Sequence, residues 1–553
     1  MGSKRSCTGS GILLLATLIN FCLPANGQHG EKYWVQFTGK KNVPFSTSEP
    51  GKYLSLAAIQ RRLKNNVTIT EEDLPVSKLY IDSLSKSNVI VRYTSKWFNS
   101  ATIEVFDESD IKRIKNYSFV NKVEKTADAL NYKDYILSDK NFVELNKHTN
   151  INTSDYGYGF TQIQLENGIP LHEKGFRGKG ICIAVIDAGF QSADYYVSLD
   201  SVRLQGRILS TKNFVDIGQT VYNTEPHGAY VLSTMAANLH GTLIGTAPDA
   251  SFILLCSEDV RSEYPVEEDN WVAAAEYADS AGADVISTSL GYTTFDNSVY
   301  NHTIADLNGE STRISRAAAI ASSKGIVVVA SAGNEGDNSW HYIGVPADAK
   351  NILAAGAIKS DGTRALFSSF GPSSDGRVKP DVMAMGQNVT VEGSIGQFFG
   401  VNGTSFSAPI IAGLSACLVQ AYPTIKASDI MNAIRISANN FNNPNYSIGY
   451  GIPDFNKAFD LLQNQIEKPD NSVGLSPNPF RNIIVINTNF SNFGQIRIMC
   501  FNTIGSLMFE TTKPLSKYII LQTEVQNLKH GLYIIKCFAN NKSWVFKAVK
   551  MAN

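Results

Sequence analysis

The sequence predicts three units of different fold class in one chain. They are a small α+β unit, a larger α/β unit with a parallel sheet and helices on both faces, and a small all-β sandwich. Three patterns carry the prediction. From Asp155 to about Gln465, β-branched apolar runs alternate with helical periodicity, as in buried strands joined by crossover helices. From Gln28 to Ser154, strands and a helix alternate on a smaller scale. From about Val473 to Asn553, short strands are split by turns, as in a sandwich.

At 553 residues the chain is too long for one small core. A net charge of -1 with 18% charged residues gives no electrostatic case for nucleic acid or for an acidic partner. Met1 to Gly27 has the form of a signal peptide: Lys4 and Arg5, the apolar run Ile12–Leu23, then the small residues Ala25-Asn-Gly27. That run is too short for a stable bilayer span, and no later apolar segment is expected to reach the roughly 18 residues needed. The chain is therefore expected to be exported, with no membrane span in its mature form. Of seven cysteines, Cys7 and Cys22 lie in the leader. Cys182, Cys256, Cys417, Cys500 and Cys537 fall mostly in apolar strands or a helix and read as small buried hydrophobes. The odd count and wide spacing argue against a disulfide scaffold or a zinc site, with a Cys500–Cys537 pair as the alternative.

In the first unit, Lys32–Phe37, Asn88–Tyr93 and Phe119–Lys125 read as strands, and Ser109–Tyr117 as a helix. Ala101–Phe106 alternates as a half-buried strand does. Lys133–Ser154 is polar, Asn-rich and aperiodic, an exposed linker open to cleavage.

The central unit opens with a helix and a Gly-rich turn, Asn167–Gly180, feeding an apolar strand that ends at Asp187-Ala-Gly. His172 in this stretch reads as an exposed histidine without a partner. Sites in open α/β sheets gather beyond the carboxyl ends of strands, although an Asp there also caps turns. Glu225-Pro-His227-Gly precedes a helix whose apolar residues Val231, Leu232, Met235 and Ala236 recur at helical spacing. Ser251–Leu255 is a strand, Trp271–Ala281 a helix, Ala283–Gly291 a strand and Ala317–Lys324 a helix. Gly325–Gly336 is a buried strand running into a Gly-rich turn at Asn334. Asn402-Gly-Thr-Ser405-Phe-Ser-Ala-Pro409 then opens a long apolar helix. A serine there is either an N-cap or a nucleophile at the positive end of a helix dipole. Ser428–Ser437 and Phe455–Gln463 close the unit as helices.

Asp, then His, then Ser is one of the chain orders in which a serine triad occurs. With Gly-Thr-Ser405-x-Ser-Ala-Pro, the strand-end Asp187, His227-Gly and Ala-Gly-Asn334, the chain from about Asp155 to Leu462 resembles the subtilisin-like (subtilase, S8) serine peptidase family. The resemblance implies Asp187, His227 and Ser405 as the triad and Asn334 as an oxyanion donor. It implies Ser289-Leu290-Gly291 and Ser331-Ala332-Gly333 as the two walls of the substrate pocket. It also implies protein or peptide substrates, no cofactor for the chemistry, and a pro-region in residues 28–154. An N-terminal substrate-binding domain is the other reading of that unit. Family members often hold structural calcium. No Asp-rich loop stands out here, so any such ion would have dispersed ligands, and no metal ligand is assigned. Two positions depart from the family pattern: Ala188 stands where a Ser or Thr is usual, and Gly-Ala-Tyr follows His227. Glu335 either favours a basic side chain from the pocket rim or is a solvated charge.

The last unit carries Pro477-Asn-Pro-Phe480, Gly505, Gly531-Leu-Tyr533 and the basic strand Lys547–Lys550. It is similar to the C-terminal sorting domain of the type IX (Por) secretion system of Bacteroidetes, which implies that machinery as a partner. A carbohydrate- or surface-binding module is the alternative. For the whole chain the readings are a secreted serine endopeptidase made as a zymogen, or a catalytically silent surface-binding protein on the same fold.

Overall fold

The computed structural model describes residues 30–129, 155–467, 473–488, 494–516, 518–539 and 542–551. The leader and the whole of the proposed cleavage linker, Lys133–Ser154, lie outside them.

The centre is a seven-stranded parallel sheet in the order Val382–Met385, Leu353–Ile358, Val327–Ser331, Val285–Thr288, Cys182–Asp187, Ser251–Cys256, Ile208–Asn213. The period-2 alternation of each strand feeds two cores. Ile183, Val185, Val327 and Val329 pack with the helices His227–Ala236 and Thr404–Ala421 on one face. Ala184, Ile186, Ile286 and Val328 pack with Val266–Ala281 and Arg313–Ser323 on the other. This is the expected sheet with helices on both faces.

The Thr404–Ala421 helix corrects one expectation. At 18 residues it is long and apolar enough to cross a membrane. Every residue from Thr404 to Val419 is nevertheless buried, because the helix is the central rod of the protein core. His172 is a second correction. It is 6% exposed, sits under Tyr156 and beside Thr246, and its ring nitrogens lie 3.0 Å from the Tyr156 hydroxyl and 3.0 Å from the Thr246 carbonyl. Burial pushes its pKa down to about 4, so it is a neutral core histidine.

The N-terminal unit is a four-stranded antiparallel sheet, ordered Ile90–Ser95, Ser100–Val105, Glu31–Phe37, Val120–Ala127. Its helices Leu56–Asn65 and Lys78–Ser85 join the expected one, found at Glu108–Lys115. Tyr33, Val35, Phe37, Ala101, Ile103 and Val105 form a core of its own. The intervening Trp34 points the other way, into the central core beside Trp97, Phe98 and Trp271. Ser100–Val105 is consequently buried along its whole length rather than half-buried, since the second face of this sheet lies against the Val266–Ala281 helix.

Buried charges cross the same boundary. Asp279 of that helix pairs with Arg61 at 2.6 Å, Arg62 at 2.9 Å and Lys96 at 2.8 Å. Glu276, one turn earlier, accepts from the Ser95 hydroxyl at 2.5 Å and from the backbone N–H groups of Lys96 at 2.7 Å and Trp97 at 3.0 Å. Burial pushes its carboxyl up to about 7 against these bonds. Burial works against the Asp279 carboxylate as well, but the three cations around it hold its pKa far below the usual range.

The last unit is a sandwich of a three-stranded and a four-stranded antiparallel sheet. Phe480, Ile484, Ile496, Ile498, Ile535 and Leu521 fill it. The turn-split pattern picks out Ile483–Asn487, Gln495–Cys500, Tyr518–Leu521, Gly531–Cys537 and Ser543–Lys550 as strands, but not two others. Leu507–Pro514 is exposed or half-exposed throughout and so has no apolar alternation, and Val473–Ser476 is short. Cys500 and Cys537 lie on neighbouring strands but face Ile535 and Ile498 in register, and both are free and buried.

Candidate active site

Asp187 ends the second-most central position of the parallel sheet, fully buried at its carboxyl edge. Its Oδ1 accepts from the Ala188 N–H at 2.8 Å and lies 2.7 Å from His227 Nδ1. Its Oδ2 is buried with no hydrogen-bond partner among the described residues. Ala188 leaves that oxygen without the hydroxyl that a Ser or Thr could offer. His227 is the first residue of its helix, and Gly228 explains how the helix reaches the strand end. A Cβ at Gly228 would sit 2.3 Å from the Gly189 carbonyl oxygen and 2.9 Å from Asp187 Cβ.

The His227 side chain is 31% exposed and opens onto a cleft. Desolvation pulls its pKa down, but the charge and hydrogen bond of Asp187 prevail. Glu258 and Glu225 add to the effect, and the pKa rises to about 9.

Ser405 lies in the first turn of the core helix and is 8% exposed. Its hydroxyl donates to the Ser289 carbonyl at 3.3 Å, and its own carbonyl accepts from the Ser289 hydroxyl at 2.7 Å. Gly403 enters the helix at φ 149, a conformation that favours glycine. Asn334, exposed at the end of the Val327–Ser331 strand, is oriented by Thr404. Its Oδ1 accepts from the Thr404 N–H at 2.9 Å and from the Thr404 hydroxyl at 3.0 Å. The amide NH₂ is thereby left to the cleft.

The cleft measures about 340 Å³ and brings together His227, Ser405, Asn334, Ser289, Leu290, Gly291, Ser331 and Gly333. Ala332, also expected in the wall, is fully buried behind it. Glu335 reaches the cleft, but its carboxylate accepts from Asn338, so it is a rim charge already engaged by its own loop. Thr404, Glu225 and Glu258 are neighbours that motif reading passed over. Thr404 lies inside the Gly-Thr-Ser motif, and Glu258 lies two residues beyond a strand's carboxyl end, where a search for site residues would have found it.

Fold and cleft together place the chain in a class: it is a serine peptidase. Residues 178–451 match the subtilase family. Residues 32–141 match the peptidase S8 propeptide domain of Bacteroidota, and residues 475–551 a secretion system C-terminal sorting domain. The chain is 32% identical to Subtilisin DY of Bacillus licheniformis over 290 residues, which span 50% of this chain and 93% of that protein. It is 30% identical to Subtilisin NAT of Bacillus subtilis subsp. natto over 349 residues, 62% of this chain and 82% of the other. MycP1 from Mycobacterium smegmatis superposes at a TM-score of 0.44 with 21% identity, covering 57% of this chain and 87% of that one. The chain belongs to the subtilase family. It is a serine endopeptidase, made as a zymogen and secreted or held at the cell surface.

Proposed function

We propose that Asp187, His227 and Ser405 form the catalytic triad, hydrolysing peptide bonds through an acyl-enzyme. The observation that carries this is the 2.7 Å Asp187–His227 bond opening onto the same cleft as a serine at a helix N-terminus. Asp187 fixes the tautomer that leaves His227 Nε2 as the base. The Ser405 hydroxyl turns from Ser289 to His227, loses its proton to Nε2 and attacks the scissile carbonyl. The oxyanion is received by the Asn334 amide, held open by Thr404, and by the backbone N–H of Ser405. His227 then protonates the leaving amine, and water hydrolyses the ester by the same route in reverse. Ser289–Gly291 and Ser331–Gly333 hold the substrate backbone and side chain.

The test is the full-length chain beside Ser405→Ala, followed by intact mass. Loss of the N-terminal unit in the wild type and its retention in the variant support self-maturation by Ser405. Equal cutting of both, with undiminished turnover of a peptide by the variant, rejects the nucleophile. Asn334→Ala should lower kcat by about 10²–10³ with little change in KM, a magnitude established on subtilisin itself. For the last unit we propose recognition by the type IX secretion machinery. Deleting residues 473–553 should then trap the enzyme in the periplasm, whereas a surface-binding module would allow export and lose only attachment.

A further inference from the structure

The loop after the Ser251–Cys256 strand runs along the cleft and enters the Val266–Ala281 helix. It carries Glu258 and Glu263, both half-buried, and the helix's first turn carries Glu267, fully buried. One carboxylate oxygen of each lies within 4.8 Å of those of the other two. Glu267 Oε1 accepts from the Tyr264 N–H at 3.1 Å, while Oε2 is buried with no partner among the described residues. Glu258 Oε2 has only a long bond, 3.3 Å, from the Tyr292 hydroxyl. Among the described residues none of the three forms an ion pair. Arg261 in the same loop is committed to Asp259 at 2.6 Å and Asp216 at 3.0 Å. Lys32 of the N-terminal unit reaches Glu267 only through its field, and leaves when that unit is removed.

Three converging carboxylates, one of them sealed from water with an orphan oxygen, repel one another, and a cation between them relieves that repulsion and supplies the orphan oxygen with a partner. A span of 4.8 Å between oxygens suits an ion bound at about 2.3–2.6 Å from each. The donors are all oxygen, which excludes soft metals as the preferred guest. Two donors are half-exposed, which leaves room for waters in an irregular shell, and this favours Ca²⁺ over Mg²⁺. We propose that Glu258, Glu263 and Glu267 bind one Ca²⁺ ion that braces the loop 258–267 at the rim of the catalytic cleft. The ion would fasten the cleft wall at Glu258 to the same helix that anchors the N-terminal unit through Glu276 and Asp279.

The test uses the full chain carrying Ser405→Ala, stripped with chelator, in equilibrium dialysis against CaCl₂ and in thermal melts. The parent should bind one more Ca²⁺ than Glu267→Gln, and Ca²⁺ should raise its Tm more than that of the variant. Glu263→Gln, at a half-exposed site that tolerates the change, should bind that ion at least about tenfold more weakly. Equal Ca²⁺ number and affinity in the parent and a folded Glu263→Gln overturns the site. An equal response to Mg²⁺ overturns the choice of ion. If Ca²⁺ has no differential effect but Glu263→Gln in the active enzyme raises KM only for Lys- or Arg-containing peptides, the cluster is a substrate subsite instead, and the proposal falls.

Discussion

The two small units flanking the peptidase are built on opposite plans. The N-terminal unit gives Trp34, Trp97 and Phe98 to the core of its neighbour and surrounds Asp279 with Arg61, Arg62 and Lys96. The sandwich fills its core with its own residues, from Val473 to Ala548. The difference matches what each must do. A pro-region that folds against its own peptidase needs its affinity written into both surfaces, residue by residue. A sorting domain is read by other machinery and needs only to fold.

The strongest way to break this comparison is Asp279→Ala in the full-length Ser405→Ala chain. Arg61 and Lys96 then lose their carboxylate and Arg62 keeps only Asp73, a loss of about 3–5 kcal/mol. The urea midpoint for the N-terminal and central units should fall accordingly. No change would mean that the interface is decorative. Because the pKa of Asp279 is depressed by folding, its stabilisation is present above the ordinary aspartate value of 3.8 and is lost only as pH falls through the lower folded value. Mild acid near pH 5 should therefore leave this anchor intact, as read by a urea midpoint of the full-length Ser405→Ala chain no lower at pH 5 than at pH 7.

Phe480→Ala, at a fully buried position, should cost the sandwich a comparable amount, about 3–5 kcal/mol, with peptidase activity unchanged. A parallel loss of activity would show that the sandwich is not independent.

A smaller effect sharpens the same contrast at the active site. The folded pKa of His227 is raised, so its pairing with Asp187 is fully stabilising below 6.5 and fades as pH rises through about 9. On the proposed triad, activity follows the opposite course, since the base must be neutral. The acid limb of kcat/KM should rise with an apparent pKa near 9. Glu225→Gln should lower that value by less than about one unit, because Glu225 is only one contributor to the field. Deleting residues 473–553 should leave the limb unmoved, and a shift would mean that the sandwich reaches the site electrostatically.

Local signals were legible where backbone chemistry is local. Asp187 at a strand end, His227-Gly, Ala-Gly-Asn334 and Gly-Thr-Ser405 each require a particular short conformation, and each stands in the predicted element. Exposure was misjudged where it depends on distant chain. His172 is buried by Tyr156 and Thr246, and Ser100–Val105 by a helix some 170 residues later. Leu507–Pro514 was missed because both of its faces are exposed to some degree, which erases the alternation a reader uses.

By itself, the sequence determined the three units, the parallel sheet and the types of residue at the cleft, since periodicity and motif spacing are properties of contiguous chain. Tertiary structure alone decided which side of each strand meets a foreign core, the clamp on Asp279 and the meeting of Glu258, Glu263 and Glu267. Those depend on the sum of burial and charge from segments far apart, and no local pattern encodes that sum.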